Sequence, residues 1–235
     1  MVCVVALLLT ACASAGGTAA ELTTTTLAAP TTTTATEPPT TTTTAPPPPT
    51  RVVLEQAWIA FGHAGDVTLH YPSPRVERIG FHQSNNEGAQ PIEPFDTGIP
   101  ATTMESRDRL ADLRSSADVV VDPESEIRAP VSGVVVSSGS YDLYCGLFDY
   151  FINIEPDDHP GWRVKVLHIT DLNVGNGDRV VQGETVIAPT ARQLPFASQV
   201  DDLRVVDPAW PHVHIEVVDP SIPNVPNGGS GYEDC

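Results

Sequence analysis

The chain predicts an all-β fold, and three features carry that expectation. Its apolar runs are short, with Gly, Pro, Asn and Asp between them. Several runs alternate apolar with polar residues, which is the period of a half-buried strand. Helical periodicity is almost absent, and the best candidate is one short helix over residues 107–113.

Residues 1–11 are nearly all apolar and end in Leu9-Thr10-Ala11-Cys12. The run is too short for a permanent membrane span and reads as an export signal. Its ending resembles a bacterial lipobox, which implies that Cys12 is acylated and becomes the mature N-terminus. The alternative is an ordinary signal peptide with an incidental cysteine. Acyl chains on Cys12 would hold the protein at the outer face of the cell membrane, outside the cytoplasm. Residues 12–50 are mostly Thr, Pro and Ala, with almost nothing to bury. They read as a disordered tether, on the order of 100 Å when extended, long enough to carry a domain into a cell wall.

Residues 51–235 suffice for one domain with a sizeable core. All 12 Lys and Arg residues fall here, and of the 30 Asp and Glu residues only Glu21 and Glu37 do not. So acidic a balance argues against nucleic acid as a partner. Cys145 and Cys235 are an even pair in an exported chain and read as one disulfide.

The strands follow in order. Residues 127–136 hold Ala129-Pro130-Val131-Ser132-Gly133-Val134, a strand with a tight bend at its start. Residues 148–154 are a second strand, and Asp157-Asp158-His159-Pro160-Gly161 is a turn. In residues 162–169, Trp162, Val164, Val166 and His168 share one face, so His168 ends an apolar row. Val174-Gly175-Asn176-Gly177-Asp178 is a turn between two further β segments. Trp210-Pro211-His212-Val213-His214-Ile215-Glu216-Val217 alternates cleanly, and its two imidazoles leave one face together. Imidazole is both a common zinc ligand and the usual proton carrier near neutral pH.

Ile127-Arg128-Ala129-Pro130-Val131-Ser132-Gly133-Val134-Val135, then Val166-Leu167-His168-Ile169, then the stretch from Val174 to Glu184, then Pro211-His212-Val213-His214-Ile215-Glu216-Val217, together resemble the lysostaphin-type, LytM-like zinc metallopeptidase domain. The resemblance covers residues 117–218. It leaves residues 51–116 as an N-terminal extension and 219–235 as a tail. It implies a compact antiparallel β-sheet domain with a groove, the duplicated hybrid motif, and activity on peptides of bacterial peptidoglycan. Position by position, it implies that Asp118 and His214 bind zinc. His212 then accepts the proton of water or holds the tetrahedral intermediate, and His168 stabilises the oxyanion.

One position departs from the family pattern. The first ligand, a histidine four residues before the aspartate, falls on Arg114. A guanidinium has no lone pair for a metal and repels one. Two outcomes follow. Either Arg114 fills the ligand position in an inactive pseudo-peptidase that binds the wall or regulates other wall hydrolases, or another residue supplies the third ligand. His82, in Gly80-Phe81-His82-Gln83, is the candidate donor, with Gly80 giving it reach, or else it occludes the groove; His63 and His70 are the other upstream histidines. The lipobox reading has its own test. Cys12→Ala should move the protein from the membrane fraction into the medium, and an unchanged fractionation would refute it.

Overall fold

The computed structural model describes residues 49–143 and 146–225. Cys12, Cys145 and Cys235 lie outside them, so the expected lipid anchor and disulfide do too. The described residues contain no α-helix. In chain order the strands are β1 (Leu54–Glu55), β2 (Ala60–Ala64), β3 (Val67–His70), β4 (Arg75–His82), β5 (Glu93–Pro94), β6 (Ala101–Thr103), β7 (Ser116–Val121), β8 (Ile127–Arg128), β9 (Gly133–Asp142), β10 (Phe148–Pro156), β11 (Arg163–Thr170), β12 (Arg179–Val180), β13 (Val186–Ala188), β14 (Thr190–Ala191) and β15 (His212–Val218). The protein is all-β.

One ten-stranded sheet runs β1-β4-β7-β15-β11-β10-β9-β12, with β14 beside β11 and β6 beside β4. Every pair in it is antiparallel except β4–β6. Two small sheets, β3-β2-β5 and β13-β8, complete the fold. Alternation sends Ala117, Val119, Val213, Ile215, Val217, Val164, Val166, Ile152 and Ile154 to one face, all fully buried. They form one core with Phe61, Leu69, Tyr71, Ile127 and Ile187. Val76, Ile79 and Phe81 of β4 belong to the same core, so residues 51–116 supply part of the sheet that carries residues 117–218.

Residues opposite each other on neighbouring strands share a face. His214 faces Asp118, which faces Gly80. One step along, Glu216 faces Ser116, which faces His82. The polar residues of three adjacent strands thus gather on the face away from the core. That face is covered rather than open, and the half-buried strand expected around His212 is buried along its whole length. Met104, Val120 and Val200, with Leu203 and Trp210, form a second apolar cluster on it. Gly80 serves this closure. A Cβ there would lie 2.8 Å from the Met104 methyl and 2.9 Å from Val200, so it is close approach, not reach, that requires glycine.

The helix expected over residues 107–113 is absent. The Gln83 side chain accepts from Arg107 N at 2.7 Å and donates to the carbonyls of Arg109 and Ala111, both at 3.0 Å. Backbone groups that a helix would pair internally are taken by one buried amide.

Gly133 opens β9 against the Glu155 backbone of β10. A Cβ there would sit 2.1 Å from the Glu155 carbonyl oxygen. Gly133→Ala should therefore destabilise the protein by at least about 2 kcal/mol in denaturant titration. Gly139→Ala, whose Cβ would meet only the Phe151 ring at 3.5 Å, should cost far less.

Candidate metal centre and its histidines

Asp118 lies in β7, between strands that bring three histidines to its carboxylate. His82 Nε2 is 3.1 Å and His214 Nδ1 2.9 Å from Oδ1; His212 Nε2 is 3.7 Å from Oδ2. His82, Asp118 and His214 each offer one ligand atom, and these atoms lie within 4.8 Å of one another. Ligands about 2.0–2.1 Å from a tetrahedral zinc are roughly 3.3 Å apart, so small adjustments would admit an ion.

The His82 ring is fixed from its far side. Its Nδ1 lies 3.0 Å from the Gln83 carbonyl, so Nδ1 carries the proton and donates it there. Ser116 Oγ lies 3.3 Å from the same nitrogen and donates to the His82 carbonyl. In the neutral ring Nε2 then keeps a lone pair; it is buried 3.1 Å from Asp118 Oδ1 but makes no hydrogen bond of good geometry. A buried lone pair aimed beside a carboxylate suits a metal ligand whose other nitrogen is anchored to a carbonyl. On this observation the residues present fit a zinc ion.

Behind His214 stands Glu216, a residue that sequence reasoning quoted but did not place in the site. Its Oε2 lies 3.6 Å from His214 Nε2. Ser84 Oγ donates to Oε2, and Lys165 Nζ donates to Oε1 at 3.0 Å. Strand alternation was the available signal, because it puts Glu216 on the face of His212 and His214.

His168 does not end the apolar row. Tyr150 pairs with Ile169 and Phe151 with Leu167, so His168 is the extra residue of a β-bulge. Its φ is 62°, a left-handed conformation that costs a non-glycine residue about 1–3 kcal/mol. The bulge turns the imidazole to the other face, where its ring centroid is 5.0 Å from that of His212 and 5.9 Å from that of His214. Its Nδ1 meets Asp149 Oδ2 at 2.6 Å. Asp149 was missed, because no local pattern marks a carboxylate whose partner lies across a bulge.

Arg114 is not in the cluster. It precedes β7 in the turn that follows Asp112, and its guanidinium is 3.2 Å from both carboxylate oxygens of Glu93. Of the other upstream histidines, His63 meets the Gly65 carbonyl at 3.0 Å and His70 lies on β3. Neither joins the group that offers metal ligands.

Burial and charge divide the histidines electrically. Burial dominates at His212 and pushes it down to about 4, against the pull of Asp118. Burial would also lower His214, but the carboxylates of Asp118 and Glu216 prevail and raise it to about 9. Burial opposes ionisation of Asp118, yet His82, His212 and His214 hold it well below the usual carboxylate range. Glu216 is held low by His214, Lys165 and Ser84 against its own burial. Comparison with protein-family models, with curated proteins and with solved structures finds no match for this chain.

These shifts predict how the metal-free protein responds to pH. His212 has a folded pKa below the unfolded 6.5, so its contribution is present above pH 6.5 and lost as pH falls towards 4. His214 has a folded pKa above 6.5, so its contribution is present below pH 6.5 and lost as pH rises through 9. Metal-free protein should melt highest near pH 6.5, and His214→Gln should flatten the alkaline limb. An unchanged alkaline limb in that variant would refute the assignment.

Proposed function

We propose that the chain is a zinc-dependent peptidase of the lysostaphin type, held at the membrane through Cys12 and acting on peptides of peptidoglycan in the cell wall. The observation that carries this reading is the buried Nε2 of His82, gathered with Asp118 and the His214 ring at ligand spacing and making no hydrogen bond of good geometry. Two imidazoles and one carboxylate are a ligand set found in catalytic zinc sites, which keep a fourth position open. Bound zinc would supply Lewis-acid activation of a carbonyl and of water.

The remaining residues divide the other tasks. Ser116 and the Gln83 carbonyl orient His82, and Glu216 backs His214, as outer partners of metal ligands do. His212 and His168 stand ring to ring at 5.0 Å, close enough to flank one scissile bond and to share its proton transfer and charge stabilisation. The inactive alternative required Arg114 at a ligand position, and its guanidinium is engaged by Glu93 instead.

Zinc analysis of the purified chain tests the reading. Zinc should be near one per chain and should be lost in His82→Ala, Asp118→Ala and His214→Ala, while Arg114→Ala keeps it. Glu216→Gln should weaken zinc binding about 10–100-fold. Zinc-loaded protein should release peptides from purified peptidoglycan, and His212→Ala should stop the release without removing zinc. A chain that binds no zinc, or a loaded chain inert to every peptidoglycan tried, would overturn the proposal.

A further inference from the structure

Asp149 is the one fully enclosed carboxylate beside these histidines that the proposed reading leaves without a task; its side chain has no exposed surface. A single oxygen, Oδ2, takes three contacts. It meets the His168 ring at Nδ1 (2.6 Å), accepts the His168 backbone N–H at 3.1 Å and accepts the Tyr141 hydroxyl at 3.0 Å. Its other oxygen, Oδ1, is buried and has no hydrogen-bond partner.

The second contact is a consequence of the bulge. His168 is the residue that the ladder between β10 and β11 leaves unpaired, so its N–H needs another acceptor. Asp149 provides it and grips the ring of the same residue. Backbone and side chain of a left-handed histidine are therefore set by one carboxylate.

That arrangement decides where the ring proton lies. An oxygen accepting from a peptide N–H and a phenol has no proton of its own to give. The bond to the ring must then use a hydrogen on Nδ1. Burial opposes the charge on Asp149, but His168 and Tyr141 among its partners keep it below the ordinary carboxylate range. A neutral imidazole holds one proton, so Nε2 keeps its lone pair for chemistry beside His212.

We infer that Asp149 is a positioning residue that locks neutral His168 as the Nδ1–H tautomer and so makes His168 the proton acceptor of the site. This rests on the proposed peptidase reading. It reverses the part that the family resemblance implies for His168, because an oxyanion donor needs Nε2–H, which this contact denies to the neutral ring. His212 is left to donate. The proton balance closes: water yields its proton to His168 Nε2 as its oxygen bonds to the carbonyl carbon. His168 then returns the proton to the leaving nitrogen as the C–N bond breaks.

The test reads the tautomer directly, by nitrogen-15 NMR of the imidazoles in the full chain, with and without zinc. His168→Gln identifies the His168 signals. Wild-type His168 should show Nδ1–H, with Nε2 unprotonated. Asp149→Asn keeps an acceptor oxygen and should keep that tautomer. Asp149→Ala should lose it, and peptide release should fall about 100-fold or more in kcat with KM changed little. Nε2–H in the wild type would overturn the inference, and so would a folded Asp149→Ala that retains Nδ1–H. If Asp149→Ala does not fold, the wild-type tautomer alone decides. A chain that releases no peptide would sink the proposed activity, whereas the tautomer would still judge Asp149.

Discussion

Asp118 is 4 % exposed, and burying such a charge without compensation costs several kcal/mol. Three imidazoles surround it, from β4 on one side and β15 on the other. This compensation requires the strands to hold one register. A slip of a single residue in β4 or β15 would turn His82 or His214 into the apolar core and strip that imidazole from the carboxylate. The sheet and the site therefore specify each other, and the alternation of β7 and β15 serves both.

Charge in the next layer points the same way. Around His214, Asp118 and Glu216 bring two negative charges, and Lys165 supplies one fixed positive charge. The balance is negative unless histidines are protonated or a cation is present. In the metal-free chain His214 answers by holding a proton. A divalent ion would take that proton's place, so proton and metal compete for one imidazole. Lys165 stays at the far side of Glu216, where it moderates the charge without reaching the ligands.

Much of this was legible in the residues. Alternation placed His212 and His214 on one face, and the punctuation of short apolar runs marked an all-β chain. His82 was legible only as a histidine of the extension. Its place depends on β4 pairing with β7, a contact between distant segments that no local pattern encodes. His168 was visible as a residue but was put on the wrong face, because period-two reasoning assumes an unbroken strand and cannot see a bulge. The short helix failed for a related reason. Local propensity gave way to Gln83, an amide more than 20 residues upstream that satisfies the same backbone groups.

The left-handed backbone at His168 changes what any replacement there would mean. At φ 62° histidine already carries its Cβ in a conformation that favours glycine and, less strongly, asparagine, and alanine would do the same. Truncation to alanine therefore removes the imidazole, with its grip on Asp149, while the backbone cost stays. Glycine would relieve the backbone while emptying the ring's place, and asparagine would keep the turn with a polar side chain that cannot carry the proton. Alanine, asparagine and glycine compared at this position separate the chemistry of the imidazole from the architecture of the strand that bears it.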